Sequence, residues 1–95
     1  MLKIKVKIQS YKDTGRTLPL KSGYRPLFNF DAQSKKSGLI TFIGKESLDI
    51  GESGQAYVVF LDNNFLGNNL LLGKKITFDE GTQAIGDIVI SEIYE

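Results

Sequence analysis

Apolar and polar residues alternate along most of this chain. Leu2, Ile4, Val6 and Ile8 are separated by Lys3, Lys5, Lys7 and Gln9. That period of two marks a half-buried strand with a lysine-bearing outer face. The lysines offer charge to a polyanion, and they also blunt an edge strand against pairing with another chain. From Ser10 to Gly23 the chain reads as a loop, with Asp13-Thr14-Gly15 as a turn signal and Pro19 opposing helix. Pro26 biases Arg25 to extended geometry, so the next strand starts near Pro26. Within it Phe28 and Phe30 point to one face, Leu27 and Asn29 to the other.

Ser34 to Gly38 reads as a second turn, Leu39 to Ile43 as a short strand, and Asp49-Ile50-Gly51-Glu52 as another turn. Gln55 to Leu61 is the most apolar strand, and its continuous run from Ala56 predicts burial on both faces. Asn63, Asn64, Gly67, Asn68 and Asn69 make the following stretch turn-rich. The last two strands are expected over Leu70 to Asp79 and Ala84 to Ile93, joined across Glu80-Gly81-Thr82-Gln83 in a hairpin. Gly73, inside the first of these, marks a bulge or a break. Six strands at this spacing, with no helical period, predict an all-β sandwich or small barrel. Closure removes sheet edges that so short a chain cannot cover, which favours the barrel. Phe28, Phe30, Phe42, Phe60 and Phe78 are expected in its core, with Ile43, Val58, Ile76, Ile85, Ile88 and Ile90.

The length, 95 residues, suits one domain over 1–95. With no histidine and no cysteine, a triad base, an imidazole ligand and a thiolate metal site are all excluded. No metal or cofactor is expected. The longest apolar runs, such as Leu70-Leu71-Leu72, fall far short of the roughly 18 residues of a membrane span. Cytoplasm is the default location, with no membrane partner.

A formal net charge of +1 conceals a polarity. Residues 1–48 carry ten Lys/Arg against three acids, a net of +7, and residues 49–95 carry two against eight, a net of −6. Such asymmetry fits a basic surface that meets a polyanion. Basic and acidic strands that pair within one sheet are the simpler explanation, since opposite charges across strands are mildly favourable.

Three stretches together resemble the third, C-terminal β-barrel domain of translation elongation factor Tu. Gly15-Arg16-Thr17 leads to Gly23-Tyr24-Arg25-Pro26 and then Phe28-Asn29-Phe30, in the order of the family's Gly-Arg, Gly-Tyr-Arg-Pro and alternating aromatics. Ile50-Gly51-Glu52 stands where the family has a Pro-Gly-Asp turn before an apolar strand. Ile76 to Gly86 is similar to the family's closing hairpin, in which a strand ends in Glu-Gly and resumes with a small residue, Val and Gly. The similarity runs from about Lys3 to Ile93 and implies a six-stranded antiparallel β-barrel acting as a translation-related, non-catalytic binding module. Departures accompany it. Gly-x-x-x-x-Gly-Lys-Ser/Thr occurs nowhere in the chain, so no GTP binding is expected of it alone. Where the family carries Gly-Arg near the tRNA acceptor and T stem, this chain has Thr82-Gln83, without the positive charge.

The resemblance and the residue types place candidate RNA or partner contacts at Arg16, Lys21, Tyr24, Arg25 and Gln83. Arg and Lys give charge-assisted bonds to phosphate, and a tyrosine stacks on a base. The alternative structural roles are an Arg25–acid pair and a Tyr24 that caps the barrel. Asp79-Glu80 and Asp49/Glu52 sit at turns, where acids are normally solvated, and no nucleophile or base completes a site around them. No catalytic residue and no enzyme is expected. Asp62 to Asn69 superficially resembles a calcium loop but lacks the terminal glutamate and the spacing. The expected partners are therefore tRNA or a translation-related protein. The alternative is a stand-alone protein-interaction or decoy domain with no RNA binding.

Overall fold

The computed structural model describes residues 2–16, 18–30, 35–61, 71–81 and 83–94. Among them the protein is all-β. Its strands are β1 (Leu2–Ser10), β2 (Leu20–Lys21), β3 (Leu27–Asn29), β4 (Lys35–Ser37), β5 (Leu39–Phe42), β6 (Ser47–Leu48), β7 (Ser53–Phe60), β8 (Lys75–Asp79) and β9 (Ala84–Tyr94). All pairings are antiparallel, and seven strands form one sheet in the order β4-β3-β8-β9-β1-β7-β5. The two ends of that order, β4 and β5, are halves of one stretch, 35–42, broken at Gly38. The first half pairs with β3 and the second with β7, so the sheet curls until its ends meet in a single segment. The strand count differs from the expected six: nine strands are present among the described residues, because the stretch 35–42 is split at Gly38 into two and the short β2–β6 pair is added.

The period of two decides what goes inside. Leu2, Ile4, Val6 and Ile8 of β1, Ile40 and Phe42 of β5, and Ala56, Val58 and Phe60 of β7 are buried. Ile76 and Phe78 of β8 join Ile85, Ile88 and Ile90 of β9 in the same cluster. Phe28, Phe30, Phe60 and Phe78 pack as a chain of tilted and edge-on rings with centroids 5.4–5.6 Å apart, the favoured aromatic geometry. Leu20 and Leu48 of the small β2–β6 pair are also buried. Register shifts at Lys5/Val6 and at Phe78/Asp79 put bulges on both sides of β9, which increase local twist and help the sheet to close.

Several expectations need correction. Ser34–Gly38 is not a turn over its described residues: 35–37 is β4, because ladder bonds to β3 outweigh the polar composition. Gln55–Leu61 is not buried on both faces. Tyr57 and Val59 are only partly covered, since their outer side faces solvent. The strand expected from Leu70 begins at Lys75. Before it Leu71 accepts a bond from the Lys74 N–H, and Gly73, at a φ of 82°, turns the chain. Ile43 is half-buried rather than core. Leu70, Thr82 and the stretch from Asp62 to Asn69 lie outside the described residues. No helix among the described residues is long and apolar enough to cross a membrane.

Candidate functional site

The loop between β1 and β3 forms an open depression of about 500 Å³ lined by Arg16, Leu18, Pro19, Lys21, Ser22 and Tyr24. Local sequence explains the shape. Asp13 and Gly15 both take positive φ, 60° and 84°, and reverse the chain just before Arg16. Leu20 buries as β2 pairs with β6. Gly23, with a φ of 96°, lets the Tyr24 N–H reach back to the Lys21 carbonyl at 3.1 Å, and so Tyr24 folds over the loop. Ile40 then bonds the Tyr24 carbonyl and receives the Gly23 N–H, which ties this turn to β5.

The β8–β9 hairpin meets the loop through two side chains. Arg16 donates to Glu80, and Gln83 Nε2 donates to the Thr14 carbonyl at 2.8 Å. The Arg16 guanidinium also lies 5.4 Å from the centre of the Tyr24 ring, a cation–π distance. Burial raises the pKa of the Tyr24 phenol, and the Glu80 carboxylate pushes the same way. The Tyr24 hydroxyl and Arg16 Nε are buried without a well-formed hydrogen bond. Leu18 is 70% exposed. A second depression of about 420 Å³ shares Lys21 and Ser22 and adds Glu46 and Ser47.

Arg16, Lys21 and Tyr24 are therefore brought together. Gln83 reaches the same loop from the hairpin, whereas Arg25 is exposed and does not line the depression. Lys21 and Arg25 form no ion pair among the described residues. Sequence reasoning missed Leu18, the largest apolar exposure at the site. Its only sequence signal was an apolar residue inside a turn-rich segment. It also missed Asp79, expected to be a solvated turn acid and found 2% exposed. Asp79 accepts from Asn29 at 2.9 Å, Lys35 at 3.2 Å and the Gly81 N–H at 2.8 Å, and the Asn29 amide leads in holding its pKa below the usual value.

Three basic residues of the first half pair with acids of the second: Arg16 with Glu80, Lys35 with Asp79, and Lys45 with Glu52. Among the described residues no group of three or more His, Cys, Asp or Glu gathers to hold a metal ion. No protein-family model matches the chain, and no curated protein matches it.

Proposed function

We propose that the chain is a non-catalytic binding module, similar to the C-terminal barrel of elongation factor Tu and of translation-related ancestry, whose partner at the Arg16–Tyr24 depression is a protein. The observation that carries this reading is Leu18, exposed on the wall of a concave site between a tyrosine and unpaired Lys21. Leu18 does not stand alone, because Pro19 and Tyr24 line the same depression between Arg16 and Lys21, and a contiguous apolar surface rimmed by charge marks a protein contact. RNA is a poorer fit for this depression. Arg16 is engaged with Glu80 and Tyr24, and Gln83 is engaged with Thr14. The Tyr24 hydroxyl is buried, and one side of its ring is covered. With no phosphate loop in the chain, a GTPase role is not part of the proposal; a place beside the translation machinery implies the cytoplasm.

The test is affinity capture from the cell's own extract with wild type, Leu18→Asp and Lys21→Glu, alongside tRNA binding by anisotropy. A protein retained by wild type and lost in both variants, with unchanged unfolding midpoints, is the expected result. Capture indifferent to both changes would overturn the reading. So would tRNA binding that Lys21→Ala abolishes and Arg25→Ala, outside the depression, leaves intact, since RNA would then own this site.

A further inference from the structure

The outer face of β1 carries a second cluster that shares no residue with the depression. Strand alternation turns Lys3, Lys5 and Lys7 outward in a row, about 6.8 Å from one to the next. Their antiparallel neighbours share that face. Lys3 stands between Val59 and Tyr94, Lys5 between Tyr57 and Glu92, and Lys7 between Gln55 and Val89. None of the three lysines enters an ion pair among the described residues, whereas Arg16, Lys35, Lys45 and Lys75 each do. One carboxylate, Glu92, stands opposite Lys5 and accepts from the Tyr94 hydroxyl. Three cations against that single anion leave the row a net positive charge of two.

Two aromatic rings flank it. Tyr57 and Tyr94 meet edge to face at 6.1 Å, and the Lys3 ammonium lies 4.1 Å from the first ring centre and 5.8 Å from the second. Tyr94 is exposed and Tyr57 partly so. A line of cations that outnumbers its one carboxylate, beside tyrosine rings on the same sheet face, meets both requirements of a single nucleic-acid strand: charge along its backbone and flat surfaces for its bases. A protein partner would need no such regular line of charge, and a duplex would leave the rings unused.

We infer that the Lys3–Lys5–Lys7 row with Tyr57 and Tyr94 binds single-stranded nucleic acid without sequence preference. The ammonium resting on Tyr57 moves to a phosphate as a base takes the ring.

The test is anisotropy of a labelled oligouridylate of about 12 residues with the full chain, titrated at a series of salt concentrations between about 50 and 200 mM. Three neutralised phosphates give a slope of log K against log salt of about −2, at about 0.7 each for a single strand. Lys5→Gln and Lys7→Gln should each flatten that slope by about 0.7. Tyr94→Ala should weaken binding about tenfold at an unchanged slope, the mark of lost stacking. Lys7 and Tyr94 are exposed, so equal unfolding midpoints confirm that these variants fold. Absence of binding at low salt overturns the inference. A slope indifferent to Lys5 and Lys7 does the same, as does equal affinity for a duplex or for polyglutamate of the same length. Leu18→Asp separates the two sites: losing the protein partner while keeping the oligonucleotide supports two surfaces, and losing both overturns their independence.

Discussion

Gly38 lies so close to Phe60 that a β-carbon on it would come 2.7 Å from the Phe60 ring, and 2.8 and 2.9 Å from Val58 and Phe28. Phe28 belongs to β3 and Phe60 to β7, the two strands that the stretch 35–42 joins. A missing side chain thus allows the backbone to pass over the aromatic core at the point where the sheet closes. Gly38→Ala should destabilise the fold by about 1–3 kcal/mol through overpacking, read as a lowered urea midpoint. A midpoint unmoved by this change would mean that the closure is looser than the geometry requires.

Phe28 touches both Phe60 and Phe78 at ring-centre distances of 5.5 and 5.6 Å. Phe28→Ala empties the middle of that aromatic chain. The expected loss is about 3–5 kcal/mol, a large share of the roughly 5–14 kcal/mol available to a domain of this length. Denaturant unfolding measures it, with near-UV circular dichroism reporting the loosened rings.

Asp79 links acid sensitivity to one buried carboxylate. Its folded pKa lies below the usual 3.8, chiefly through the Asn29 amide, with the Gly81 N–H and Lys35 adding to it. The folded state therefore binds fewer protons than the unfolded one at acid pH. Its contribution is fully present well above pH 4 and is lost as pH falls through the folded value. Asp79→Asn should cost about 2 kcal/mol near neutrality and flatten the decline of stability below about pH 4, followed by urea midpoints across that range.

Tyr11 donates to Asp87 at 2.6 Å. Burial first, then the bond to Asp87 and its charge, push the Tyr11 pKa up to about 12 from 10.0. The folded phenol keeps its proton where the unfolded one loses it, so this contribution is intact below pH 10 and disappears as pH rises from 10 towards 12. Tyr11→Phe should lower stability by about 1.5 kcal/mol at neutral pH and lessen the alkaline decline. Unfolding midpoints taken across that alkaline range check both effects.

Glu80 and Arg16 pair at the surface, with side-chain exposures of 47% and 21%. Glu80→Gln should change stability by less than about 1 kcal/mol, while freeing a guanidinium at the edge of the depression. Thermal unfolding with and without added salt checks the first point, because a surface pair is screened.

Much of the barrel could be read from neighbouring residues alone. Leu2, Ile4, Val6 and Ile8 are all buried, as are Phe28 and Phe30, because a strand's two faces are written in alternate positions. The same rule misled where composition disagreed with pairing. Lys35 to Ser37 looks like a turn yet forms β4, since its partner strand supplies ladder bonds that no local pattern announces. Leu71 and Leu72 look like strand yet sit in a turn, since Gly73 reverses the chain before β8 can begin. At the candidate site, Arg16, Lys21 and Tyr24 were legible as residue types, and Leu18 was not. An exposed leucine and a core leucine are identical in sequence until the loop has a shape.

By itself, the sequence determined an all-β chain, the inward set of aliphatic and aromatic residues, and a lysine-bearing face on β1. These depend on positions two apart, so adjacent residues encode them. The tertiary structure alone decided which charges meet, that Asp79 is buried, and that Leu18 stands open beside Tyr24. Arg16 and Glu80 lie 64 residues apart in the chain, and Tyr11 and Asp87 lie 76 apart. Contacts at that separation exist only once the sheet has curled, because register and closure, not local periodicity, bring those side chains within reach of one another.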